Sequence, residues 1–452
     1  MNERTHTQAT GQNTDNRKTI ICKIVFFVFA AWLALTVLSI SFAQIINLQM
    51  SQLNEYRTIA PYTLLIFAGI AAIFTLFYFA SRRIKIPSFN FTGKKFLIAF
   101  AAADILLFAA QIFLFYNIYF ETGWDAGYLI EHAQHIAAGL PIEPQSDLAW
   151  YYSRYPNNLF LLTSFVGLIR IWSSFGIDAY FGMVITNCIA LNAGGILFAF
   201  AANNFTKSSK NALYCWIVYT LLITFSGWAS IPYSDTFGLF FITLLLLLYS
   251  YRPHSSAANY LRLFVFGFVA FMGYKIKPTV IFILIACLFF EILQLTDKKD
   301  RFARLTAILF ILLGVFCSAF TVGMLISLLP FELVPNQKFT FMHFLMMGAN
   351  TKNTGRYLDE DVFYSASFAT NIERFWKDWL RYLERISEQG FFGYLGLLLK
   401  KNILNFSDGM YAWGEEGGFY KNIPPEPLGN FSAALRKFWY SYPLPVYRIH
   451  VF

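Results

Sequence analysis

Long apolar blocks dominate the chain. Residues 20–48, 60–80, 96–120 and 305–329 are built mostly from Leu, Ile, Val, Phe and Ala. Each reaches the roughly 20 residues a helix needs to cross the hydrocarbon core of a bilayer. A spanning backbone must satisfy its own hydrogen bonds there, so the blocks predict transmembrane helices. From residue 330 onward the pattern changes to amphipathic helical runs such as 372–386 and 391–406, with much of the acidic content. The expected fold class is an all-α polytopic membrane protein in three parts: a polar tail over 1–19, a multi-span core over 20–329 and a mostly helical outside region over 330–452.

Basic residues orient this core. Arg17 and Lys18, then Arg82, Arg83, Lys85, Lys94 and Lys95, then Lys207 and Lys210, Arg252 and Arg262, and Lys298, Lys299, Arg301 and Arg304 all flank apolar blocks. The excess of Lys and Arg on cytoplasmic loops places each cluster, and the N-terminus, inside. Residues 121–158 then lie outside, as do the corners 231–236 and 274–279. Of the apolar stretches 159–172 and 180–202, only one can cross if the flanking loops are to keep their sides. The first is short, follows Pro156 and contains Arg170, which fits a helix along the outer interface. The count becomes about nine spans, with outer juxtamembrane helices in the large loop 118–179. The apolar run after the tail is too long for a signal-peptide core and lacks a small-residue cleavage site, so it reads as a retained first span.

Composition agrees and removes one alternative. Hydrophobic residues make up 57% of the chain and charged residues 13%, too apolar a mix for a water-soluble domain of this length. The net charge of +9 invites a nucleic-acid reading, but the Lys and Arg residues gather beside apolar blocks rather than in one stripe, which is the pattern of membrane topology. Cys22, Cys188, Cys215, Cys287 and Cys317 lie inside apolar segments, without the paired spacing of a disulfide framework or zinc site.

The remaining polar residues collect on the outside elements. Trp124 and Asp125 form one group, the run 151–158 with Arg154, Tyr155, Asn157 and Asn158 a second, and Tyr233, Ser234 and Asp235 after Pro232 a third. Carboxylates at the ends of apolar helices are costly unless paired or solvated, so each is a functional candidate. Asp125 suits a general base for an incoming hydroxyl and equally a cap for the helical pattern that follows it. Asp235 is likewise either a cap or part of a site. Lys275 and Lys277 stand at an outside corner where the positive-inside rule does not want them. A negatively charged ligand explains them, and so does snorkelling to the headgroups. Arg154 and Arg170 share that ambiguity, with phosphate the partner best suited to a guanidinium. His132 and His135 beside Glu131 lack a firm third ligand and read as a packed or solvated face rather than a metal centre. The acidic run of Asp359, Glu360 and Asp361 reads as a solvated loop.

In their order, these motifs resemble the membrane-embedded glycosyltransferases that take sugars from lipid phosphates, the group containing the dolichyl-phosphate-mannose protein mannosyltransferases and the bacterial aminoarabinose transferases of lipid A. Gly123-Trp124-Asp125-Ala126-Gly127 resembles the segment bearing that family's catalytic acid. Tyr155-Pro156-Asn157-Asn158-Leu159 stands where many members open a second juxtamembrane helix with a Pro-containing motif. Pro232-Tyr233-Ser234-Asp235-Thr236 and Gly273-Tyr274-Lys275-Ile276-Lys277-Pro278-Thr279 look like later outside motifs of the bacterial branch. The set covers most of residues 96–300. Many relatives carry a second acid beside the catalytic one, where this chain has Trp124 and Ala126, and many have further spans beyond the point at which it stops, as a shortened relative would.

The resemblance implies a polyprenyl-phosphate-linked sugar as donor, a hydroxyl of a cell-envelope glycan, lipid or protein as acceptor, and a multi-pass location in a bacterial inner membrane among its lipids. No cofactor is expected, a divalent metal is left open without support, and the distribution of Lys and Arg speaks against nucleic acid as a partner. Asp125 would be the base of an inverting single displacement, and Lys275, Lys277 and Arg154 would hold the leaving phosphate. Tyr233, Ser234, Asp235, Trp124, Tyr155, Asn157 and Asn158 would bind substrate, with Trp150, Tyr151 and Tyr152 suited to a sugar's apolar face. A transporter or lipid flippase is the rival class, but it places ionisable groups near mid-membrane at broken helices, whereas most charges here are in loops. A non-catalytic scaffold leaves unexplained why Asp125, Asp235 and Lys275 fall on one face.

Overall fold

The computed structural model describes residues 20–21, 23–41, scattered helical positions between 68 and 79, and 90–144, 146–295, 300–406, 420–422 and 429–440. The tail over 1–19, most of the block at 60–80 and the basic residues Arg17, Lys18, Arg82, Arg83, Lys85, Lys298 and Lys299 lie outside the described residues. Helix α1 is Lys23–Ser41. Then come α2 (Lys94–Ile118), strand β1 (Glu121–Thr122), α3 (Trp124–Ala137), α4 (Asp147–Arg154), α5 (Leu159–Ser174), α6 (Ala179–Thr206) and α7 (Ser209–Tyr219). They are followed by α8 (Ser234–Ser250), α9 (Ser256–Ile276), α10 (Ile281–Gln294) and α11 (Arg301–Ile326). The C-terminal region adds α12 (Phe341–Gly348), α13 (Asp359–Ala366), α14 (Asn371–Phe406), β2 (Tyr420–Asn422) and α15 (Asn430–Tyr440). Helices α1, α2, α6, α9 and α11 are long and apolar enough to cross a membrane, and α8 and Pro278–Gln294 are shorter apolar helices.

Caps set where these helices begin. Asp178, Ser208 and Ser255 each accept a backbone N–H of the next helix's first turn, from Phe181, Asn211 and Ala258 respectively, satisfying donors that have no partner within the helix. Lys207 closes α6 in the left-handed conformation at φ 54°. The last turn of α7 widens into a π turn over Thr220–Thr224. The Thr224 carbonyl accepts from Gln111 of α2 at 2.5 Å, and Asn192 of α6 bonds the other end of that amide. Asn187 of α6 reaches the carbonyls of Trp228 and Ala229. The buried amides therefore stitch α2, α6 and the irregular turn after α7 together where no water would pair them.

Two glycines let α9 and α11 touch backbone to backbone. A Cβ on Gly267 would lie 2.0 Å from the Ile311 carbonyl oxygen, and one on Gly314 would lie 2.0 Å from that of Phe264. Small residues at such crossings maximise packing where lipid gives helices no hydrophobic reason to associate. Helices α8 and α9 run antiparallel: Lys277 meets Asp235 at one end, while Arg262 bonds the Leu248 carbonyl at the other.

The loop helices stack on the first of these ends. Leu129, Ile130 and Ala133 of α3, Leu148 and Tyr152 of α4 and Leu159–Leu162, Phe165 and Val166 of α5 form one core with Ile276 of α9 and Val322 of α11. Helix α5 thus buries its main apolar face against protein. The C-terminal region closes over the same end. Val334 donates its backbone N–H to Ser153 and Phe339 to the Arg154 carbonyl. Strand β2 pairs antiparallel with β1, and Ser432 and Arg436 of α15 both bond the Asn117 carbonyl at the end of α2. The two amphipathic runs expected at 372–386 and 391–406 are the halves of α14, bent at Gly390 where φ is 63°. The second half meets α1 through Asn402 and Thr36.

Ionisable groups hold the C-terminal region together. Asp361, expected in a solvated loop, is instead buried, paired with Arg385 at 2.5 Å and bonded by Asn350. The reason is its place on the inner face of α13, opposite a guanidinium that no local pattern announces. His343, Ser365 and Asp378 form a buried chain of hydrogen bonds, 2.7 Å at each link. Burial pushes the Asp378 carboxyl up to about 6 against the opposing pull of the Ser365 hydroxyl and Arg374. Burial likewise drives His343 down to about 4.

Two outcomes follow. Gly267→Val or Gly314→Val should destabilise the purified chain by about 1–3 kcal/mol or more through overpacking. Gly323→Ala, where a Cβ meets nothing within 4 Å, should be neutral or slightly stabilising, and thermal unfolding compares the three. Because the folded-state pKa of Asp378 is raised, its ionisation penalises the fold as pH rises from about 4 through 6. Asp378→Asn should therefore gain on the native chain across that window, by on the order of 2 kcal/mol at pH 7; unfolding midpoints between pH 4 and 7 measure the gain.

Candidate functional site

Asp125 sits in the first turn of α3, and three features fix that turn. Trp124 opens it at φ 55°, a left-handed conformation costly for a bulky residue. Gly127 must be glycine, since a Cβ there would lie 2.0 Å from the Thr122 carbonyl oxygen. Thr122 itself belongs to β1, which β2 anchors. The helix cap is Gly123 rather than Asp125, so the carboxylate is left for other partners. Tyr151 donates its hydroxyl to Oδ1 at 2.8 Å and Tyr233 donates to Oδ2 at 3.3 Å. Burial, with Asp125 alongside, drives both phenols far above their usual range, so they remain donors at any working pH.

The chain of bonds continues on one side. Asn157 Nδ2 donates to Asn158 Oδ1, and buried Asn158 donates Nδ2 to the Tyr151 hydroxyl, each at 3.0 Å. Tyr155 packs on Tyr151 with ring centroids 5.3 Å apart, and on Phe339 of the C-terminal region at 5.4 Å. On the other side, Tyr233 caps α8, Ser234 is buried, and Asp235 pairs with Lys277 at 2.6 Å. Lys277 therefore meets a carboxylate instead of reaching for headgroups. Lys275 lies 5.5 Å from the ring centroids of Phe271 and Tyr274, close enough for cation–π attraction.

Arg154 stacks on Trp150 at 5.4 Å, and its buried Nε has no hydrogen-bond partner among the described residues. The segment after α11 runs between these cations, because Phe339 bonds the Arg154 carbonyl while Lys338 lies within electrostatic reach of Lys275. Buried Arg374 fixes that segment through the carbonyls of Asn336 and Lys338. Lys338 is thus a site residue that the sequence motifs did not include, and its only signal is tertiary. Tyr357, which feels both Tyr155 and Asp125 electrostatically, is another. Trp124 is exposed, and Arg170 is exposed on α5. His132 contacts the Tyr152 hydroxyl at 3.3 Å and His135 the Pro141 carbonyl at 2.9 Å. Among the described residues, no group of three or more His, Cys, Asp and Glu could hold a metal ion.

A bundle of apolar helices, five of them long and apolar enough to span a bilayer, with polar side chains gathered at its ends, defines an integral membrane protein. A family model described as a conserved hypothetical integral membrane protein matches residues 16–449. The chain belongs to that family. Comparisons with curated proteins and with solved structures gave no match.

The geometry separates support from decoration. Tyr151→Phe leaves the buried Asn158 amide without its acceptor and should cost roughly 1–3 kcal/mol. Asp235→Asn breaks a pair whose side chains are 28% and 54% exposed and should cost under about 1 kcal/mol. Thermal unfolding of the two variants checks the order.

Proposed function

We propose that this protein is a glycosyltransferase that moves a sugar from a polyprenyl-phosphate donor to an acceptor hydroxyl at the outer surface of a bacterial inner membrane. In this reading the chain crosses the membrane about nine times, adding the block at 60–80, the α7 segment, α8 and α10 to the five long helices, with a cytoplasmic N-terminus. The supporting observation is a single connected arrangement. Tyr151 and Tyr233 clamp the Asp125 carboxylate, and Asp235, two residues beyond Tyr233, pairs with Lys277 at the end of α9. Four segments distant in sequence thereby meet at one end of the bundle, in the order and with the residue types by which they resemble the lipid-phosphate-sugar glycosyltransferases.

The chemistry follows from charge. Each Asp125 oxygen accepts one tyrosine hydroxyl and keeps a further acceptor position. The carboxylate takes the proton of the acceptor hydroxyl as its oxygen attacks the anomeric carbon. The bond from that carbon to the donor phosphate oxygen breaks, and a single displacement inverts the centre. Negative charge grows on the departing polyprenyl phosphate, where Lys275 and Arg154, with Lys338 beside them, stabilise it. The unpartnered Nε of Arg154, held near a second guanidinium on Arg374, favours an anion at that spot. Lys277 stays in its pair with Asp235 and orients the corner, or turns to the phosphate when donor binds. The exposed Trp124 and the Tyr151, Tyr155 and Trp150 rings offer faces for the sugar.

The test is transfer by purified protein supplied with a panel of labelled polyprenyl-phosphate sugars and membrane acceptors. Asp125→Asn keeps the shape of the carboxylate but not its basicity, and should reduce transfer at least about 100-fold in a chain that still folds cooperatively. Lys275→Ala combined with Lys277→Ala should raise the donor concentration needed more than the acceptor concentration. Full activity in Asp125→Asn would remove the proposed base.

A further inference from the structure

At the opposite end of the bundle from Asp125, four helices enclose a hollow of about 490 Å³, within the roughly 300–1,000 Å³ of small-molecule sites. Arg252 enters it from the end of α8, Arg262 from the second turn of α9, Glu291 from the last turn of α10 and Arg304 from the first turn of α11. Ala303 and Ala307 of α11 line it too, and their short side chains leave the space open.

Membrane topology alone asks only that arginines stand near this surface. It does not ask for three of them around one concavity, nor for a carboxylate buried beneath. Arg262 is itself buried and immobile: it bonds Asn259 Oδ1 through Nε and Nη2, and the Leu248 carbonyl through Nη1. Glu291 is 4% exposed and binds Arg304 Nη1 at 2.8 Å. That bond holds the Arg304 fork against α10 with its other donors uncommitted among the described residues. Arg252 lies against the Tyr249 ring at 5.4 Å and uses Nη1 on the Tyr249 carbonyl, which leaves the rest of its fork available. Among the described residues, three guanidinium groups face two carboxylates, Glu291 and Asp300, so their balance is one positive charge.

We propose that this cavity binds a phosphate ester, with Arg252 and Arg304 as its hydrogen-bonding forks and buried Arg262 as a fixed positive charge behind them. A phosphodiester carries the single negative charge that the cavity lacks, and the planar guanidinium fork matches its oxygens. The surroundings favour a glycerophospholipid as the source. Phe290 lines the hollow and is 43% exposed, and Phe302 is exposed on α11, so acyl chains leaving the headgroup would meet apolar side chains. The site is separate from the transfer chemistry and stands whether or not that reading holds.

Thermal unfolding of the full chain in detergent tests it, with phosphatidylglycerol, phosphatidylcholine or soluble glycerol phosphate added. Phosphatidylglycerol should raise the midpoint by about 2–4 °C at saturation and phosphatidylcholine by much less. Arg252→Gln, at an exposed side chain, should leave the lipid-free midpoint unchanged and abolish the phosphatidylglycerol shift. Glu291→Gln combined with Arg304→Gln removes the ion pair without stranding a charge and should also abolish it. A shift from glycerol phosphate equal to that from phosphatidylglycerol keeps the phosphate site and assigns it to a soluble ligand. Equal shifts from both lipids, or a phosphatidylglycerol shift that survives Arg252→Gln, would overturn the proposal.

Discussion

In a medium without water, every backbone and side-chain polar group must find its partner inside the protein. That constraint accounts for the features on which this structure depends. Helix ends, where carbonyls lose their partners, are closed by side chains from elsewhere: Ser432 and Arg436 on Asn117, and Arg262 on Leu248. The π turn after α7 survives because Gln111 reaches its carbonyl. Gly267 and Gly314 replace the missing hydrophobic drive between α9 and α11 with direct backbone contact. Most charged groups lie at the ends of the bundle for the same reason, and Asp104, midway along α2, is met by the Trp216 indole N–H.

The two ends differ in how they handle charge. At one, carboxylates outnumber the committed cations close to them, and aromatic hydroxyls share the load: Tyr151 and Tyr233 hold Asp125, while Lys277 answers Asp235. At the other, arginines dominate and a single buried carboxylate, Glu291, fixes one of them. The first arrangement leaves an exposed carboxylate held by two donors beside a group of cations, which suits proton transfer next to a leaving anion. The second leaves fixed positive charge around a hollow, which suits holding an anion without reaction. The described part of the C-terminal region packs on the first end and on α1. Arg374 spends its guanidinium on the backbone of residues 336–338, and so carries Lys338 to a place that the spans alone would leave empty.

The apolar blocks at 96–120, 180–202 and 305–329 were legible as helices because a spanning segment needs only length and hydrophobicity, both one-dimensional properties. The short block at 159–172 was legible as a helix, and the structure adds that α5 buries its apolar face on α3, α9 and α11. The shared end of Asp125, Tyr233 and Lys277 could be read in the same way, since alternating spans return every second loop to one side. Their pairing could not. Sequence left Asp235 as a cap or a site residue and Lys277 as a ligand for an anion or a snorkelling chain, and the antiparallel contact of α8 and α9 joined them to each other.

What the amino-acid sequence determined by itself is therefore the solvent: which segments are long and apolar enough to enter lipid, and which residue types gather between them. These follow from local hydrophobicity and charge, which need no knowledge of neighbours. The tertiary structure decided the partners: Tyr151 and Tyr233 for Asp125, Asp361 in a buried pair rather than a solvated loop, Lys338 beside Lys275, and three arginines around one hollow. Each of these joins residues from different helices. Their proximity depends on crossing points, kinks and close glycine contacts, which no stretch of sequence encodes alone.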